Sequence, residues 1–163
     1  MSQFILRDVA RPDWPSILAL NEESVHFLSP MDAAKLAAWA KASCYLRVVE
    51  QGGTVAAFLL GFRKGADYDS PNFLWFDNRF DDFVYVDRVV VAPAFRGRKL
   101  ADLLYDDFAH FARERGIVRV TCEVNVEPPN PVSLRFHERR GFREVGRQPY
   151  GPSKIVSLLE CPL

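Results

Sequence analysis

Apolar positions along the chain form short strand-like runs alternating with stripes of helical spacing, and the change from one period to the other lays out the elements. Phe4 to Val9 reads as an opening strand ended by Arg11-Pro12-Asp13, after which Trp14, Ile17, Leu18 and Leu20 trace a short helical face. A second helix is expected from Asp32 to Lys41. Cys44 to Glu50 and Thr54 to Phe62 are strand-like runs joined by Gln51-Gly52-Gly53, a tight-hairpin signature that makes them antiparallel neighbours. Residues 63–82 read as a long irregular stretch in which Asp67, Asp69, Asp77, Asp81 and Asp82 are interleaved with Tyr68, Phe73, Trp75, Phe76 and Phe80. A loop of that length inside a compact domain is usually functional.

Phe83 to Val91 is the next strand, broken at Pro93, and it leads through the basic turn Arg96-Gly97-Arg98-Lys99 into a helix whose Leu100, Leu103, Leu104, Phe108 and Phe111 recur at helical spacing. Gly116 is placed to end that helix. Val118 to Val124 is a further strand, Asn125 to Pro131 a turn-rich break, and Val132 to Arg140 a short helix closed by Gly141. Phe142 to Gly146 and Ile155 to Leu159 close the chain as two strands. The resulting order, βααβββαβαββ, predicts an α/β fold, a mixed sheet with helices on its faces.

The basic turn adds chemistry to this layout. A helix start presents unpaired N–H groups and the positive end of the macrodipole, so an anion over residues 96–101 gains hydrogen bonds and a favourable field. Three cations there, Arg96, Arg98 and Lys99, run against the dipole, which favours a phosphate ligand over a merely solvated helix start.

Composition narrows the setting. At 163 residues the chain is read as one domain spanning 1–163. Lys plus Arg equals Asp plus Glu at 21 each, so no overall field draws nucleic acid or an anionic membrane surface, and neither is expected as a partner. Cys44, Cys122 and Cys161 are odd in number and set in apolar runs, as reduced thiols of a cytoplasmic protein would be. The first residues carry an early acid and no long apolar core, and no run approaches the roughly 20 apolar residues of a spanning helix, so no leader or membrane span is expected. His26, His110 and His137 show no metal-ligand spacing, so no metal is implied.

Two blocks carry a resemblance. Arg96-Gly97-Arg98-Lys99-Leu100-Ala101 resembles the Arg/Gln-x-x-Gly-x-Gly/Ala signature of the GNAT N-acetyltransferase superfamily, with Lys99 where the family has its central glycine. Asn130-Pro131-Val132-Ser133-Leu134-Arg135-Phe136-His137-Glu138-Arg139-Arg140-Gly141-Phe142 is similar to that family's Asn-x-x-Ala/Ser-x-x-x-Tyr-x-x-x-Gly-Phe block, with His137 in place of the usual tyrosine. The more particular Asp-Tyr-Asp-Ser-Pro-Asn and Tyr-Val-Asp-Arg-Val segments resemble a bacterial branch of acetyltransferases.

The resemblance implies a mostly antiparallel sheet with a splayed central strand pair, acetyl-CoA as cosubstrate, and direct acetyl transfer to a primary amine of a small molecule or peptide. It implies that Val89, Val90 and Val91 pair with the pantetheine, that one of their N–H groups polarises the thioester carbonyl, and that Arg96, Gly97, Arg98, Lys99, Leu100 and Ala101 hold the pyrophosphate. Asn130, Ser133 and His137 would line the cofactor, with His137 as the acid that protonates the leaving thiolate. An alkylammonium with a pKa of about 10.4 must lose a proton before it attacks. Period-two alternation places Tyr85, Asp87, Val89 and Val91 on one strand face, which makes Asp87 the candidate base; the alternative is that Asp87 simply pairs with an arginine such as Arg88 or Arg135. Glu22, His26, Trp75 and Tyr85 are the candidate acceptor-binding residues, with carboxylates and aromatic faces suited to a cationic amine. Other readings are a longer acyl-CoA as donor, a CoA-binding regulatory module with little turnover, or an unrelated α/β domain that binds some other phosphate. Related folds dimerise through the sheet edge left by the terminal strands, so a homodimer is a further expectation.

Overall fold

The computed structural model describes residues 3–163. Seven strands, β1 (Ile5–Asp8), β2 (Tyr45–Gln51), β3 (Thr54–Arg63), β4 (Val84–Val91), β5 (Arg119–Glu127), β6 (Arg143–Tyr150) and β7 (Lys154–Pro162), form one sheet in the order β1-β2-β3-β4-β5-β7-β6. Five α-helices accompany them: α1 (Trp14–Glu23), α2 (Ala33–Ala42), α3 (Pro71–Asp77), α4 (Leu100–Glu114) and α5 (Pro131–Arg139). Every expected element is present. The pairings β1 with β2, β2 with β3, β5 with β7 and β6 with β7 are antiparallel, while β4 meets β5 in parallel through Val84↔Val120 and Tyr85↔Thr121. The chain divides into two compact units, residues up to Phe62 with Val86–Phe111, and Arg63–Tyr85 with Ala112–Leu163.

In the first unit β2 and β3 are joined as expected: Gln51 pairs with Thr54 across Gly52 and Gly53, whose φ angles of 58° and 82° are those of a two-residue hairpin turn. Eight consecutive residues of β3, Val55 to Phe62, are buried, the signature of a strand covered on both faces. Leu104 and Phe108 on α4 contribute to this core, and Gly61 admits the Phe108 ring: a Cβ at that position would lie 2.4 Å from Phe108 Cζ. Tyr45 packs tilted against Phe108 with ring centroids 4.7 Å apart and donates its hydroxyl to Asp107 at 2.6 Å, which also accepts from Arg47 at 3.0 Å.

In the second unit β7 lies between β5 and β6, with Cys122 opposite Leu159 and Glu144 also opposite Leu159. The stretch 63–82, expected to be irregular, contains α3. Pro71 occupies its first turn, where the missing N–H is harmless and the fixed φ is helical. Phe73 and Phe76 are fully buried among Phe83 and Tyr85 at centroid distances of 5.6–6.0 Å, so these aromatics build the core rather than dress a loop. Asn72, also buried, accepts from Gln148 of β6 at 2.8 Å, fastening the helix to that strand. All three cysteines are free thiols, and Cys122 is buried. Among the described residues no helix is long and apolar enough to cross a membrane.

Candidate active site

The turn between β4 and α4 is built by backbone conformation. Pro93–Phe95 forms one 3-10 turn, Arg96 is extended at φ −64° and ψ 152°, and Gly97 then adopts φ +79°. Lys99 follows at φ +60°, the one described non-glycine residue with a positive φ. A side chain in that left-handed region costs about 1–2 kcal/mol, so the residue that replaces the signature's glycine retains the backbone that glycine would adopt. Its carbonyl accepts from Leu103 N at 3.0 Å, opening α4, while the N–H groups of the first helical turn have no carbonyl of the helix to bind. Residues Arg96 to Lys99 are exposed, Leu100 is buried and Ala101 is half-buried. A Cβ on Gly97 would meet nothing within 4 Å, so the space beside the turn is open to a ligand. Cations, first-turn N–H donors and a left-handed backbone pair form the donor set that a pyrophosphate of acetyl-CoA requires, and the residues present fit it.

Upstream, β4 buries Val86, Arg88 and Val90 and leaves Val89 and Val91 half-covered; Asp87 is half-covered only as a whole residue, since its side chain is buried. Tyr85 departs from the expected alternation. Its ring is fully buried and its hydroxyl donates to Glu123 Oε2 at 2.6 Å, so Tyr85 has no surface for an acceptor and is corrected to a core residue. Asp87 accepts a 2.5 Å hydrogen bond from Arg88 Nε, and the two side chains are 4% and 3% exposed. Of the two roles left open for Asp87, pairing with an arginine is the one this geometry realises. Glu22 and His26 are exposed at the end of α1 and in the turn after it.

The second block folds as a capped helix in the second unit. Asn130 is the N-cap of α5, its Oδ1 accepting from Ser133 N at 3.3 Å. His137 is buried, edge-on to Phe136 and Phe142, with Nδ1 2.7 Å from the Ser133 carbonyl. A carbonyl only accepts, so Nδ1 carries the proton and the imidazole is the neutral Nδ1–H tautomer. Burial lowers its pKa to about 4, against a smaller opposing effect of the Ser133 bond, so the ring holds no second proton at neutral pH. That corrects the expectation of an acid that gives a proton to a thiolate. Trp75 is half-buried against Gly146, and the Arg79 guanidinium covers its ring at 4.1 Å, so this indole is committed to packing.

One group escaped the sequence reading, Glu123, a half-buried carboxylate anchored by a buried tyrosine; Arg88, named there only as a partner for Asp87, is a buried cation that also bonds Asn21 and Ser29. The signal for Arg88 was available: charged residues are almost never buried without partners, and Asp87-Arg88 interrupts an otherwise apolar strand. Among the described residues no group of three or more His, Cys, Asp or Glu is placed to hold a metal ion.

Comparison with known proteins points the same way as the turn and the capped helix. The family model "Acetyltransferase (GNAT) family" matches residues 6–142. A search of curated proteins gives no match. The ribosomal-protein-S18-alanine N-acetyltransferase of Escherichia coli has a similar structure at 14% identity and a TM-score of 0.73, covering 98% of this chain and 94% of that one. Ard1 from Thermoplasma volcanium aligns at 19% identity and a TM-score of 0.75, with 98% and 97% covered. The yncA structure from Salmonella typhimurium, solved with its cofactor acetyl-CoA, aligns at 19% identity and a TM-score of 0.71, with 98% and 94% covered. With the family's fold and a model match over most of its length, the chain belongs to the acetyltransferase (GNAT) family.

Proposed function

We propose that the protein is a single-domain, cytoplasmic N-acetyltransferase that moves the acetyl group of acetyl-CoA directly to a primary amine of a small molecule or peptide. The observation that carries the reading is the left-handed Lys99 in an exposed basic turn: the backbone keeps the strained form of a phosphate cradle even where the side chain is wrong for it. Acetyl-CoA, when bound, supplies an activated thioester. Arg96, Arg98 and Lys99, with the N–H groups at the start of α4, hold its phosphates. Main-chain groups of Val89, Val90 and Val91 pair with the pantetheine and offer a donor to the acyl oxygen, a contribution of a few kcal/mol when such a donor is preorganised.

The acceptor must arrive as, or become, a free amine. Two carboxylates held by hydrogen bonds, Asp87 by Arg88 and Glu123 by Tyr85, are the candidates to take that proton. His137 orients the end of α5 through Ser133 and leaves proton donation to the thiolate to solvent. Three free cysteines support a reducing compartment.

Thermal unfolding with acetyl-CoA, CoA and ATP, followed by thiol release across a panel of amines, tests the reading. Stabilisation by the CoA species but not ATP, with thiol release on adding an amine, is the expected result. No stabilisation by either CoA species would overturn it.

A further inference from the structure

The outward face of α5 carries a stripe at helical spacing, with Val132, Arg135, Phe136 and Arg139 at i, i+3, i+4 and i+7. Val132 is 70% exposed, Phe136 is half-buried, and Arg135, Glu138 and Arg139 are exposed. These five residues line a hollow of about 580 Å³, within the size range of small-molecule sites. Phe136 supplies its aromatic surface, and the guanidinium carbons of Arg139 and Arg140 lie 5.4 Å and 5.7 Å from the ring centroid.

The charges around the hollow do not balance. Arg139 and Arg140 close the helix, where cations suit the macrodipole, but Arg135 sits in mid-helix and has no ion-pair or hydrogen-bond partner among the described residues. It stands four residues before Arg139, a like-charge spacing that destabilises a helix and that an anion between the two would relieve. Glu138 is the one carboxylate set against the three arginines. A flat aromatic ring laid on Phe136 and the guanidinium planes, an apolar edge on Val132 and a phosphate on Arg135 are the complement of this surface. A purine nucleoside monophosphate offers all three. CoA contains one, its adenosine 3′-phosphate, and Ser133, implied to line that cofactor, is one residue and about 100° round the same helix from Val132.

We infer that the hollow on the outer face of α5 seats the adenosine 3′-phosphate of the cofactor, and that Arg135 is the specificity residue that tells CoA from its 3′-dephosphorylated form. The inference rests on the acetyl-CoA reading above.

Calorimetry on the full chain at fixed salt tests it with CoA, 3′-dephospho-CoA, adenosine 3′,5′-bisphosphate and 4′-phosphopantetheine, which lacks the nucleoside, in wild type, Arg135→Ala and Phe136→Leu. Wild type is expected to hold CoA roughly tenfold more tightly than dephospho-CoA, the equivalent of one hydrogen bond between charged groups. Arg135→Ala should remove that difference by weakening CoA alone. Phe136→Leu should weaken both CoA forms several-fold through lost stacking, with phosphopantetheine affinity unchanged in either variant. Equal affinity of wild type for the two CoA forms overturns the inference, as does a loss in Arg135→Ala that is the same for both or absent from both. Should Phe136→Leu fail to fold, Arg135→Ala decides alone, since that side chain is exposed. If wild type binds no CoA form, the acetyl-CoA reading fails by itself. Binding of the bisphosphate that Arg135→Ala removes then still supports the nucleotide hollow; no such binding, or binding of hexaglutamate in its place, overturns it.

Discussion

His137 carries the second block's most particular chemistry, and its geometry sets the sign of a pH effect. The folded ring has a pKa of about 4, held down by burial, against 6.5 for an exposed histidine. Between those values the unfolded chain takes up a proton that the folded chain does not, so stability falls as pH drops from about 6.5 to about 4, by roughly 3 kcal/mol at the lower end. In His137→Phe this loss is absent: urea midpoints measured from pH 7 to pH 4 should fall less steeply than in wild type. Equal slopes in the two proteins would remove the buried neutral imidazole from the account. Lys99 makes the complementary case. Lys99→Gly removes about 1–2 kcal/mol of left-handed strain and adds about 0.4–1 kcal/mol of unfolded-state entropy, for a net gain of about 0.5–1 kcal/mol. The same substitution deletes a cation from the cradle, so urea stability should rise while the calorimetric affinity for acetyl-CoA falls. Movement of both in one direction contradicts the cradle reading.

At the scale of elements, legibility followed burial and local punctuation. The β2–β3 hairpin was readable because Gly52-Gly53 separates two apolar runs, and α4 because its apolar stripe is continuous. Helix α3 escaped because seven residues carry only two turns, and its buried Phe73 and Phe76 read as aromatic punctuation in an acidic stretch, although Ser70-Pro71 is a proper helix start. Strand β6 extends to Tyr150, beyond the expected Gly146, because an edge strand of half-exposed Arg, Gln and Pro leaves no apolar pattern; its length comes from pairing with β7. The basic turn and the Asn130 cap were legible as motifs, whereas the occupations of Tyr85 and Trp75 depend on Glu123 and Gly146, far away in sequence, and that of His137 on a burial its near neighbours do not spell out. Close approach between elements gives a direct test. Gly61→Ala would set a methyl 2.4 Å from Phe108 Cζ, so Phe108 must shift, at a cost of about 1–3 kcal/mol in chemical denaturation. No loss of stability would mean that α4 does not approach β3 this closely.

For the molecule as a whole, binding and folding share one measurement. A ligand that binds only the native chain adds about 2.7 kcal/mol at 100 times its Kd, which for a chain of this length raises Tm by roughly 5–10 °C. Acetyl-CoA should do this, and Arg96→Ala combined with Arg98→Ala should shrink the gain without lowering the Tm of the unliganded protein, since both side chains are exposed. Cys122 supplies an independent view of the same molecule. It is 2% exposed on β5, and burial pushes its thiol well above the ordinary value, so the nucleophilic thiolate is scarce and shielded together. In a protein with Cys44 and Cys161 changed to serine, alkylation of this one sulfur waits for β5 to come open. The chain therefore carries its own clock: the rate at which iodoacetamide marks Cys122 counts openings of the β5–β7 pair, at a native side chain and with no denaturant.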